Sequence, residues 1–80
     1  MNNKLIAHNL GEASEQLVKL WHRAQSGGLN EAEFQVGLLH AYHHLNFAWN
    51  IRHKPTSAYV TLTDKQFKRW GKYPSAIEKL

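Results

Sequence analysis

Three of the chain's six histidines fall in the run His40-Ala41-Tyr42-His43-His44. His40 and His44 are four residues apart, so on a helix both imidazoles project from one face at a separation that can chelate one metal ion. His43 points roughly 80–100° away from that pair at 3.6 residues per turn. Zinc asks for a third ligand and usually a fourth. No carboxylate stands at helical spacing from either histidine, the acids next in sequence being Glu33 and Asp64. His8 or His22 completes a site only if the packing of another helix brings it there. The pattern predicts no cofactor and no resident metal, with His40 and His44 the pair that would hold one.

A second constellation is Asp64–Pro74, DKQFKRWGKYP, which interleaves four cations with Phe67, Trp70 and Tyr73. This is the mixture with which proteins grip single-stranded nucleic acid or backbone phosphates. Phe67 and Trp70 are three apart and share one face, where core packing accounts for them. The candidate binding residues are then Lys65, Lys68, Arg69, Lys72 and Tyr73. No recognised RNA- or DNA-binding signature accompanies them. A third group, Gln35, Asn46 and Asn50, forms a polar line at one edge of an apolar helical stripe. Such carboxamides bind a small polar ligand or satisfy the backbone of an irregular segment. The segment after Pro55 has unpaired backbone groups and must pass nearby, which favours the second role. Catalysis finds no comparable support. Ser14, Ser26, Ser57 and Ser75 have cap, turn or surface explanations, and no strained elbow surrounds any of them. Gly27-Gly28 is a helix stop rather than a phosphate loop.

Eighty residues fit one domain, 1–80, and a chain this short buries only about 60–65% of its unfolded surface. There is no cysteine, which removes disulfides, thiolate nucleophiles and cysteine-ligated metal centres. The longest apolar runs fall far short of the ~20 residues that span a bilayer. The N-terminal residues do not read as a signal peptide, so a soluble cytoplasmic protein without membrane contact is expected. Charge is unevenly placed: Lys4, Lys19 and Arg23 stand against four glutamates before residue 52, a balance of −1. The remainder carries seven cations against Asp64 and Glu78, a balance of +5. That asymmetry suits a surface meeting phosphate or an acidic partner.

The elements that must position these groups are helices. A hub helix is predicted over Asn30–Lys54, started by an Asn30/Glu33 capping box and a Leu29/Phe34 staple and stopped by Pro55. Phe34, Leu38, Tyr42, Leu45 and Trp49 form its main stripe, with Ala41 and Ala48 beside it. Val36, Leu39, Phe47 and Ile51 form a second apolar face on the other side, so two coverings are needed. A first helix is predicted over residues 3–26, continuous through Gly11, with Ile6, Leu10, Ala13, Leu17, Leu20, Trp21 and Ala24 buried. Asn9 and Glu12 offer an internal cap that would instead start it near Leu10. Gly27-Gly28 folds the two helices into an antiparallel hairpin. Thr56–Leu62 reads as an extended connector or a single turn held by Tyr59, Val60 and Leu62. Thr63–Trp70 is a short helix with a Thr63/Gln66 capping box and a Gly71 stop. Ser75 and Glu78 suggest a last turn over Ala76–Leu80.

The fold class expected is all-α: a long antiparallel hairpin with a short C-terminal helix and connector packed across it. The function expected is a non-enzymatic protein-interaction module. Its rivals are a nucleic-acid binder using the basic-aromatic segment and a histidine-ligated metal protein. A homodimer pairing two hairpins is expected to cover whatever part of the Val36–Leu39–Phe47–Ile51 face the C-terminal segment leaves wet.

Overall fold

The computed structural model describes residues 1–74 and Ile77. Four helices follow one another: α1 Asn3–Gln25, α2 Glu31–Asn50, α3 Thr56–Val60 and α4 Asp64–Trp70. No strand occurs among the described residues. Helices α1 and α2 pack as the antiparallel hairpin, and the C-terminal segment folds across its open end. Ser75 and Glu78, expected to cap a last turn over Ala76–Leu80, lie outside the described residues.

Local signals set the helix boundaries. Asn30 accepts from Glu33 N at 2.8 Å, which caps α2. The reciprocal half of that box is not made, because the Glu33 carboxylate is taken by Arg23 through two bonds of 2.9 and 3.1 Å. This exposed fork ties the end of α1 to the start of α2 across the loop. Gly27 adopts φ 75°, the left-handed conformation that stops α1 without a steric penalty. The Thr63/Gln66 box opens α4 in full, both bonds present. Helix α1 runs unbroken through Gly11, and Asn9 caps nothing.

Three expectations are corrected. The hub ends at Asn50, not Lys54; Ile51 caps it, and Arg52, His53 and Lys54 lie in the turn beyond. Of the two readings of Thr56–Leu62, the structure has the short turn, as the five-residue helix α3, and not the extended connector; Val60, expected to help hold it, faces solvent. Gly71 stops α4 as expected, with right-handed φ −82°, so the stop does not depend on positive φ. Its missing side chain matters because a Cβ there would meet the His43 ring at 2.7 Å.

The third correction concerns which faces are buried. On α1 the buried positions are Leu5, Asn9 and Ala13, whereas Leu10, Leu17 and Trp21 are 45–58% exposed. On α2 they are Gly37, Ala41, Phe47 and Ala48, whereas Phe34, Tyr42 and Leu45 are 40–57% exposed. The helices meet along small residues, Ala13 on α1 and Gly37, Ala41 and Ala48 on α2. A Cβ on Gly37 would stand 2.6 Å from Leu20 Cδ2, so Leu20 fills the space a side chain would take. Close backbone approach along this seam displaces the large side chains to its two flanks. One flank receives the C-terminal segment. There Leu5, Phe47, Ile51 and Trp70 form the buried cluster, with Ala58, Tyr59 and Leu62 against it.

Two amides hold α4 in place. Asn46 Nδ2 donates to Gly71 O at 2.9 Å, and Asn50 Nδ2 donates to Trp70 O and Lys72 O at 2.7 and 2.9 Å. The structural role expected for these carboxamides is right, but they satisfy the orphan carbonyls of the α4 terminus, not the segment after Pro55. Gln35 is exposed and takes no part in this. Asn2 sews the N-terminus to the α2–α3 link: its N–H donates to Arg52 O at 2.6 Å and its Nδ2 to Lys54 O at 2.9 Å. The same side chain accepts from Leu5 N as the α1 cap.

The two helical glycines should respond oppositely. A Cβ added at Gly11 would meet nothing within 4 Å, so Gly11→Ala should stabilise the fold by about 0.5–1 kcal/mol through helix propensity. Gly37→Val should destabilise it by about 1–3 kcal/mol, because Leu20 must leave its place in the seam. Urea denaturation of both variants checks this; equal effects of the same sign would contradict the packing.

Candidate interaction surfaces

The histidines of α2 form part of a hydrogen-bond chain that starts in the core. Asn9 is fully buried, and its Nδ2 donates to Leu5 O at 3.0 Å. That fixes the amide orientation, so Oδ1 faces His44 and must accept from the His44 Nδ1–H at 2.9 Å. Neutral His44 then has a lone pair on Nε2, where it accepts from His40 Nε2–H at 3.0 Å. Both polar atoms of the buried amide thereby have a partner. Sequence reasoning placed His40 and His44 together correctly. It missed Asn9, which reads as a cap or surface residue and has no local mark of burial.

The pair could present two imidazole nitrogens to one ion, but among the described residues no third His, Cys, Asp or Glu joins them. Two ligands fall short of the three that zinc takes from protein. His43, turned away from the pair, packs against Phe47 and Phe67 at centroid distances of 4.4 and 4.3 Å. Half-burial pushes the His43 pKa down, and the nearby His44 and His40 add to it. His44 is also pushed down, first by burial and then by His40, with Glu12 opposing and His8 assisting.

Between α2 and the C-terminal segment lies a groove of about 560 Å³, with Val36, Leu39, His40, His43, Leu62 and Phe67 among its walls. Val36 and Leu39 are 67% and 70% exposed there. The C-terminal segment therefore covers Phe47 and Ile51 of the second face and leaves its other half open. Lys65, Lys68, Arg69, Lys72 and Tyr73 are all exposed along α4 and the turn after it. Of their aromatic companions, Phe67 is 47% and Tyr73 60% exposed, and Trp70 alone is withdrawn from the surface. Phe67 lies on His43.

The opposite flank of the seam carries the larger apolar surface. Leu10, Leu17 and Trp21 from α1 stand beside Phe34, Tyr42 and Leu45 from α2, each 40–58% exposed. Three shallow hollows run along this side. One lies among Leu10, Ser14, Leu17 and Trp21, one between Leu17, Leu38 and Tyr42, and one between Ile6, Leu10, Trp49 and, from the C-terminal segment, Ile77. Leu45 borders all three. Among the described residues, the one charged side chain in their walls is Arg52, at the open end. Its guanidinium lies over the Trp49 ring at 3.9 Å and donates to Trp49 O at 2.7 Å. No described helix is long and apolar enough to cross a membrane.

Comparison with protein-family models, with curated proteins and with solved structures gave no match.

Stability should depend on pH through His43 and His44. Both have folded pKa values below the ordinary imidazole value, so the unfolded chain binds more protons. Their contribution is complete above the unfolded value, roughly pH 6.5, and is lost as pH falls toward the folded values. The urea midpoint at about pH 5.5 should be lower than at about pH 7.5, and His43→Phe should narrow the gap. Equal midpoints for the parent protein would contradict the half-buried placement of these rings.

Proposed function

We propose that the protein is a non-enzymatic protein-interaction module that binds through the open apolar side of its hairpin. One observation supports this above the others. Seven large apolar side chains, Leu10, Leu17, Val18, Trp21, Phe34, Tyr42 and Leu45, are each 40–58% exposed. They lie along the side whose hollows carry almost no charge. Scattered exposed hydrophobics are ordinary on a protein surface, but a contiguous patch of this length marks an interaction site. Protein suits it better than phosphate, because the side lacks cations along most of its length.

The nucleic-acid reading retains the exposed cations of α4 with Phe67 and Tyr73 but loses Trp70 to the core. Binding through those cations would be non-specific and steeply dependent on salt.

Photocrosslinking separates the two. A photoreactive residue in place of Leu17 should give protein adducts, to its own copies or to another chain, in the protein's native lysate. The same residue in place of Val60, 78% exposed but off this side, should give few. Even labelling from both positions would contradict the proposal. So would tight binding of short single-stranded DNA or RNA that falls steeply between about 50 and about 200 mM salt.

A further inference from the structure

The geometry points to a second copy of this chain as the occupant of the apolar side, closing two hairpins into a two-fold four-helix arrangement. This rests on the reading of that side as an interaction surface and names its partner.

Area comes first. Seven side chains about half exposed, at roughly 200 Å² each, offer on the order of 700 Å² per copy. A standard stable interface takes about 800 Å² from each partner, so one matching surface of this length is enough. The buried hydrophobic core among the described residues is small by comparison: Leu5, Phe47, Ile51 and Trp70 with three alanines. Much of the apolar material that would make a larger core stands outside the seam instead.

Charge and shape then select the partner. A surface whose hollows, among the described residues, carry no charged side chain but Arg52, at the open end, offers little complement to an acidic or basic protein, whereas a copy of itself presents the same nearly uncharged surface. The cations Lys65, Lys68, Arg69 and Lys72 belong to α4 and its following turn, on the flank that the C-terminal segment covers. Pairing the open sides keeps them apart. The side is also suited to a two-fold axis. Trp21 and Phe34 mark the loop end, and Ile6 and Trp49 mark the open end. Around Leu45 the surface alternates ridges with hollows, including one of about 360 Å³ beside Leu10, Leu17 and Trp21. An antiparallel copy sets its ridges into those hollows, as helices of a four-helix bundle do. Leu45, bordering every hollow, then lies beside the axis. An isologous contact of this kind closes on itself and stops at two copies.

The sequence-based expectation placed the dimer on whatever part of the Val36–Leu39–Phe47–Ile51 face the C-terminal segment leaves wet. That segment buries Phe47 and Ile51 and leaves Val36 and Leu39 exposed, a smaller open surface than the seven side chains of the opposite flank.

Light scattering over a concentration series should give twice the chain mass of 9.3 kDa. Leu45→Glu puts two carboxylates beside the axis and should return the mass to 9.3 kDa while the helical circular dichroism is retained. Leu17→Lys serves the same purpose should Leu45→Glu not fold. Leu39→Glu, in the groove on the other flank, should remain dimeric. A parent mass fixed at 9.3 kDa at the highest concentration overturns the inference. So does a dimer that Leu39→Glu dissolves and Leu45→Glu and Leu17→Lys do not. A monomer that still crosslinks from position 17 to a different protein overturns the dimer and keeps the interaction reading. A monomer that crosslinks to nothing there removes both.

Discussion

The small-residue seam between α1 and α2 governs the arrangement of everything else in this chain. Ala13, Gly37, Ala41 and Ala48 let the two backbones approach, and Leu20 occupies the space that a side chain at Gly37 would need. Leu20 apart, the large residues of both helices find little room in such a seam. They are displaced to its flanks, and the hairpin acquires two apolar sides instead of one central core. On one flank Phe47 and Ile51 meet Trp70, Tyr59 and Leu62 and become the interior. On the other, Ile77 borders the hollow beside Leu10 and Leu45, yet Leu10, Leu17 and Leu45 stay 40–47% exposed. The same packing that stabilises the hairpin therefore exposes the surface proposed for association.

Amide side chains do the joining where helices end or cross. Asn2 bonds to the link after α2, while Asn46 and Asn50 take up the last carbonyls of α4. Asn9 carries the polar end of the hub's histidine pair into the interior without leaving a donor or acceptor unmatched. A buried carboxamide of this kind is tolerated because each of its polar atoms has a partner in place. It also constrains the chemistry of the histidines. With His44 Nδ1–H committed to Asn9, the pair is a hydrogen-bonded structural feature first, and its two ring nitrogens lack a third ligand among the described residues.

What was legible in the sequence was local. Asn30, Thr63 with Gln66, and Gly27 act within four residues of themselves, so caps and stops are readable without tertiary information. The short Gly27–Asn30 loop leaves a hairpin as the natural course for two long helices. The choice of buried face was not legible. Apolar residues occur around most of α2, and periodicity alone ranks Phe34, Leu38, Tyr42, Leu45 and Trp49 as its strongest stripe. Hydropathy gives little weight to alanine and glycine, yet Gly37, Ala41 and Ala48, spaced four and seven residues apart, were the signal for close approach. Of the candidate site residues, the cations of α4 are exposed as the sequence suggests, and His40 and His44 do come together. Asn9, Asn2 and the contact of His43 with Gly71 depend on residues distant in sequence, which no local pattern reveals.

The central claim is that packing through small residues leaves one flank of the hairpin to be covered by another protein surface, here its own copy. Methyl-resolved nuclear magnetic resonance with a water-soluble paramagnetic agent tests it most directly. At concentrations where the protein associates, the methyl groups of Leu10, Leu17 and Leu45 should be shielded from the agent, while those of Leu39 and Val60 remain open to it. Equal accessibility of all five side chains at every concentration would contradict the account.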